Sequence, residues 1–342
     1  MDAEGRMSPE AMAPRADPRE PAGEGCMREA VELAVRAPSL HNTQPWRWRI
    51  WAHEAWLYAD RDRRLAATDP DRRDLLISCG TALHHLHVAL AGCGQAVTTE
   101  RFPDVDDRDL VARIRLVAGA PDQVEAGLQP ALLRRRSDRR RYGPHRVEPT
   151  ILEELGSRAR RHGVNLVPVL RADQIAEVAD VLGTAADAQR RRPGYVAELM
   201  TWTHRYAGAH DGVPTTARPK RLTSVPAGPV RVFPPGRLVG PAETGPDGSV
   251  LVVLCTEGDD PQSQLRAGEA TSAVLLAAVR AGLATVPLSQ GLELPETRSR
   301  LARTALHVAD YPQMIIRLGY PPDDRELPET PRRRLEAMIM PS

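Results

Sequence analysis

Apolar and polar positions change rhythm repeatedly along the chain, and each rhythm predicts an element. Residues 27–36 place Val31, Leu33, Ala34 and Val35 on one face of an amphipathic helix. Trp46, Trp48 and Ile50 then alternate with Arg47 and Arg49, the period-two pattern of a strand, and a second strand is expected around 56–58. Asp69-Pro70-Asp71 announces a helix with Asp74 in its first turn, and Leu75, Leu76, Cys79, Leu83, Leu86 and Leu90 carry it to Gly92. Strands are predicted at 96–102, 110–117 and 165–170, with a linker at 121–130 in which Val124 to Leu128 can hold a helical turn, and helices at 150–162, 172–192 and 195–203. A buried strand at 249–256, a long helix at 262–282, a helix at 294–308 and a core strand at 313–320 complete the pattern. Two long apolar helices thus end at glycine, 92 and 282, and the helix–strand rhythm is met twice. The fold class expected is α+β.

Two stretches carry no period. Residues 1–25 are rich in Pro, Ala, Glu and Gly and are expected to be a disordered tail, because they bury too little to offset ordering. Residues 208–248 hold eight prolines and several glycines. An irregular stretch of that length in a compact domain reads as a lid or a linker.

Between the first helix and the first strand lies Ala37-Pro38-Ser39-Leu40-His41-Asn42-Thr43-Gln44-Pro45-Trp46. Pro38 and Pro45 oppose a continuous helix and bias their predecessors towards extended geometry. The hydroxyl, imidazole and amide groups between them can offer polar contacts to a flat ligand.

Charge narrows the function classes. Lys and Arg number 46 against 45 Asp and Glu, a balance that argues against a dedicated nucleic-acid binder. Cys26, Cys79, Cys93 and Cys255 are scattered, so neither a disulfide framework nor a zinc site is expected, and a reducing cytoplasm is. No signal peptide or membrane span is expected. His84 and His87 share a helical face, but with no Asp, Glu or Cys nearby in sequence no metal is expected. Arg134-Arg135-Arg136-Ser137-Asp138-Arg139-Arg140-Arg141 is the densest charge run, with forked donors and a hydroxyl suited to a phosphate monoester. A serine hydrolase is disfavoured: Ser39 and His41 are too close to form a triad alone, and there is no Gly-x-Ser-x-Gly elbow.

The string Pro38-Ser39-Leu40-His41-Asn42-Thr43-Gln44-Pro45-Trp46 resembles the Pro-Ser-x-x-Asn-x-Gln-Pro-Trp signature of nitroreductase-like FMN flavoproteins. Leu75-Leu76-Ile77-Ser78-Cys79-Gly80 and Pro287-Leu288-Ser289-Gln290 are similar to the Acg branch, which fuses two nitroreductase-like halves in one chain. The resemblance implies a nitroreductase-like α+β fold in which residues 26–120 and 121–342 form an intramolecular pseudo-dimer, with a lid or insertion at about 194–248. Further homodimerisation stays open. It also implies FMN held by Pro38, Ser39, Leu40, Asn42 and Gln44, with Ser289 and Gln290 across the ring. Arg135, Ser137 and Arg139 match a phosphate-binding Arg-Arg-Ser-x-Arg motif, and Arg332 and Arg334 match a basic C-terminal ending. Each of the two principal motifs occurs once, which implies one FMN site rather than two. The activity implied is NADPH- or NADH-dependent oxidation or reduction of a small organic molecule, with no catalytic side chain named. Ser289-Gln290 replaces the family's Glu-Gly pair beside the flavin, which keeps a second function open: an FMN-binding or storage protein with an occluded flavin.

Overall fold

Two long helices pack against one another at the centre of the molecule, and each half of the chain builds the same sheet beside its own. A computed structural model describes residues 24–206, 208–220, 231–240 and 246–341; the expected N-terminal tail lies almost wholly outside them. The elements run α1 (Glu24–Ala34), β1 (Trp46–Ile50), β2 (Glu54–Ala59), α2 (Arg73–Gly92), β3 (Ala96–Arg101) and β4 (Leu110–Val117). The short helices α3 (Gln123–Ala126) and α4 (Gln129–Arg134) follow. Then come α5 (Pro149–Arg160), β5 (Asn165–Val169), α6 (Ala172–Arg191), α7 (Tyr195–Thr203), β6 (Val250–Thr256), α8 (Pro261–Arg280), β7 (Ala284–Leu288), α9 (Pro295–Arg300) and β8 (Tyr311–Gly319).

The sheets have orders β1-β2-β4-β3 and β5-β6-β8-β7, and all their strand pairs are antiparallel. In each, the long helix links the second strand to the third. The second half differs by its insertions: α6, α7 and the irregular stretch fall between β5 and β6, and α9 falls between β7 and β8.

Helices α2 and α8 cross at Gly80 and Gly268. A Cβ on Gly80 would lie 2.1 Å from the Leu265 carbonyl oxygen and 2.9 Å from Gly268 Cα. Only paired glycines admit that approach. A single apolar cluster spans both halves, from Trp46 and Trp48 to Val274 and Ile316. By length and composition α2 is apolar enough to cross a membrane, which corrects the expectation that no run reaches that threshold; 83% of its apolar window is buried inside the protein. Its N-terminus is satisfied by Asp69, whose carboxylate accepts from the backbone of Asp74 and Leu75 at 3.1 and 2.8 Å.

The differences from the sequence reading have local causes. Helix α1 begins at Glu24, ahead of residue 27, and takes in two residues assigned to the tail. The 121–130 linker folds into α3 and the start of α4. Asp122 caps the first, and Pro130 sits in the first turn of the second, where its missing N–H costs nothing. Strand β7 was hidden by Pro287, which an edge strand tolerates. Helix α9 continues into a π-helical segment, Leu301–Leu306, ended by left-handed His307.

Candidate functional site

The proline-framed loop is locally strained. His41, Asn42 and Gln44 have φ of 50°, 56° and 50°, left-handed values that cost non-glycine residues on the order of 1–3 kcal/mol each. Hydrogen bonds from three parts of the chain hold the strain. Gln44 N donates to Ser39 Oγ at 2.9 Å. Asn42 Nδ2 donates to the carbonyls of Gly212 and Pro331, both at 3.0 Å, while its Oδ1 accepts from Arg332 Nη1 at 3.1 Å. Gln44 Nε2 reaches the His210 carbonyl at 2.9 Å, and Gln44 Oε1 accepts from Arg333 N at 2.9 Å. Pro38, Ser39, Leu40 and Asn42 therefore face a cavity, while Gln44 is buried behind it as a brace and does not line it.

The cavity measures about 170 Å3, far beyond the roughly 10–15 Å3 that one water needs. Both halves contribute: the Pro38–Asn42 loop and the first turns of α2 on one side, and residues 135–139, the end of β7 and the described part of the 208–240 stretch on the other. Ser289 and Gln290 line it beyond β7, and Gln290 Oε1 is buried with no hydrogen-bond partner. Ile77, Leu182, Leu288 and Met314 supply apolar wall.

Guanidinium groups crowd one end. Arg135 and Arg332 both line the cavity, and among the described residues neither forms an ion pair, whereas neighbouring Arg36 and Arg136 share Glu329 at 3.0 and 3.1 Å. Burial, then Arg136 and Arg36, push Arg135 down to about 10. Burial, then Arg135, push Arg332 well below the ordinary arginine range. Arg135 Nε and Nη1 and Arg332 Nε have no partner. Cations so placed are complementary to a missing anion. Ser137 lies alongside, held by a bridge to Thr285 at the β7 edge. Arg139 also lines the cavity but is turned to the other end, donating to the Ala217 carbonyl at 3.1 Å and stacking over Phe233. Arg334 is exposed and outside the cavity. Its neighbour Arg333 points towards Gln44 O and Asp60.

The described part of the 208–240 stretch reaches into the site through Arg231. Its guanidinium is buried, ion-pairs with Glu293, donates to Tyr195 Oη at 2.9 Å and meets His41 Nε2 at 3.3 Å. Glu293 also accepts from Ser289 Oγ at 2.7 Å and from Gln189 Nε2. Burial alone would lower Arg231, but Glu293 and Tyr195 outweigh it and hold the guanidinium charged. His41 is pushed far below its usual value by burial, then by Arg231 and Arg139, so it stays neutral and can accept. The Phe233 ring meets His41 edge-on, with centroids 5.9 Å apart.

Asp74, Lys220, Arg231 and Phe233 belong to the site but were not singled out from sequence. Asp74 was read only as a helix-dipole residue; it pairs with Arg73 at 2.9 Å within the buried turn. The other three sit in a segment without period, where sequence carries no orientation signal.

No family model matches the chain. The Mycobacterium tuberculosis H37Rv candidate NAD(P)H nitroreductase Rv3131 is 41% identical over 318 residues, covering 92% of this chain and 90% of that protein. The candidate NAD(P)H nitroreductase Acg of the same organism is 35% identical over 321 residues, 92% of this chain and 95% of its own. An FMN-bound nitroreductase structure from Bacteroides fragilis aligns with 60% of this chain and 94% of its own, at 15% identity and a TM-score of 0.38.

Proposed function

This chain belongs to the nitroreductase family that includes Rv3131 and Acg, and from that membership we propose that it is an FMN-dependent NAD(P)H oxidoreductase acting on a small organic molecule. Residues 26–120 and 121–342 are its two halves, with the described residues of the 194–248 stretch as the lid; 207, 221–230 and 241–245 of that stretch lie outside the described residues. The observation that carries the reading is the unpaired Arg135–Arg332 couple at one end of an otherwise largely apolar cavity built by both halves. Arg135, Arg332 and Ser137 hold the phosphate, and Arg139 ties that arm to the lid. The strained loop and Gln290 give polar contacts to the ring, and Leu182 and Met314 give apolar ones. When bound, FMN supplies hydride chemistry; the protein binds it, orients it and limits water.

The first test is an anaerobic visible spectrum of the flavin-loaded protein. NADPH or NADH is expected to bleach it. A flavin that dithionite bleaches and neither nucleotide does would instead establish the storage reading.

That second reading draws support from the Arg231–Glu293 pair, which closes the described lid segment over the site. Arg231→Met with Glu293→Gln removes the pair without stranding a buried carboxylate. The expected result is flavin reduction about tenfold faster, corresponding to roughly 1.4 kcal/mol off the barrier. An unchanged rate in stopped-flow measurements would show that the pair does not gate access.

A further inference from the structure

His84 lies outside the cavity wall, in the C-terminal half of α2, yet it is wholly buried among groups that the proposed flavin chemistry does not use. Its Nε2 is 2.9 Å from Glu125 Oε2 in α3. Its ring stands edge-on to His162, just after α5, with centroids 5.0 Å apart. One ligating atom from each of the three residues lies within 4.8 Å of the others. His162 Nε2 is buried without a hydrogen-bond partner. The opposite nitrogen of His84, Nδ1, is 2.7 Å from Ser272 Oγ in α8.

We propose that His84, Glu125 and His162 form a binding site for one divalent transition-metal ion of the zinc class. Two imidazole nitrogens and a carboxylate oxygen suit zinc, with water as the fourth ligand. Zinc bonds of about 2.0–2.1 Å put tetrahedral ligands roughly 3.3 Å apart, so closure needs a movement of up to about 1.5 Å between pairs. His162 can make it, because it sits in the turn beyond α5 and is only partly buried. Ser272 is the outer-shell partner that ligating histidines require: with the proton on Nδ1 shared to Ser272, Nε2 of His84 is free to ligate. Its hydroxyl proton then turns to His85 Nδ1, also 2.7 Å away.

Glu125, Asp122 and Glu269 lie near Arg161 and Arg101; Arg161 bonds Glu125 Oε1 at 3.4 Å, leaving Oε2 for the ion. In sequence only His84 stands out, since Glu125 and His162 stand 41 and 78 positions beyond it. In space the ion would tie α2 to the connecting segment and to the turn after α5, fastening one half to the other away from the flavin cavity.

The test titrates Zn2+ into chelator-stripped, flavin-loaded protein against a chromophoric competitor. It uses the wild type and the His162→Gln and Ser272→Ala variants. The expected result is one Zn2+ per wild-type chain and a higher Tm with the ion. Loss of the ligand should weaken binding by at least about tenfold and abolish the Tm gain, and loss of Ser272 should weaken it about 10–100-fold. Unchanged flavin absorbance in both variants reports that the fold is kept. Equal binding in wild type and His162→Gln, or wild-type binding well below one ion per chain, would overturn the site.

Discussion

Arg135→Ala is expected to release FMN while leaving the flavin-free protein at least as stable as before. The two signs come from one cause. In the free protein Arg135 is a buried cation with two unpartnered nitrogens and a single long bond, Nη2 to the Arg36 carbonyl at 3.5 Å. Arg136 and Arg36 repel it, so truncation removes a liability. In the loaded protein the proposed role sets the same guanidinium against the phosphate, and a charged hydrogen bond of that kind contributes about 1.5–3 kcal/mol. Affinity for FMN should therefore fall by roughly 10–150-fold, and Arg135→Ala/Arg332→Ala should leave the purified protein colourless. Flavin fluorescence quenching measures the first effect, and thermal unfolding of the apoprotein the second. Arg334→Ala is the control: the side chain is exposed and off the cavity, so FMN affinity should not change. Full flavin retention in the double variant would remove the phosphate assignment altogether.

That control also marks where sequence reasoning reached its limit. Arg332 and Arg334 fit one short basic motif equally well, but they differ in environment. Arg332 donates to the Arg36 carbonyl and to Asn42 from inside the site, while Arg334 caps a short 3-10 turn at the surface. The Pro38–Asn42 loop was legible because its prolines restrict the backbone and its polar groups are close in sequence. The helix–strand rhythm was legible because burial imposes a period. Arg231 and Phe233 were not, since the geometry of an aperiodic stretch is set by tertiary contacts such as Glu293 and His41. Gln44 shows a subtler gap: its type was noticed, but only the structure reveals that it braces the loop from behind.

The glycine pair where the halves meet sets the largest expected stability effect. Gly80→Val should destabilise the protein by about 4–5 kcal/mol or prevent soluble folding, beyond ordinary overpacking of roughly 1–3 kcal/mol. The reason is what the new atoms meet. A Cβ on Gly80 lies 2.1 Å from a backbone oxygen and 3.0 Å from the Glu269 nitrogen, and a Cβ on Gly268 lies 2.1 Å from the Ile77 oxygen. None of these atoms can rotate away, so α2 and α8 must separate, and with them the two halves whose residues jointly line the cavity. Gly156→Ala is the contrast: it too is helical and buried, but its added methyl meets only the flexible end of Arg160 at 3.3 Å. Removing that helical glycine should be neutral or stabilise by up to about 1 kcal/mol. At roughly 2–4 °C per kcal/mol, Gly80→Val would lower Tm by about 10 °C or more while Gly156→Ala leaves it level or higher. A small milder loss of flavin would precede unfolding in Gly80→Ala, because spreading the helices widens the cavity before it dismantles the core. Equal melting temperatures for Gly80→Val and wild type would mean that α2 and α8 do not cross at these glycines, and that the shared site is built some other way.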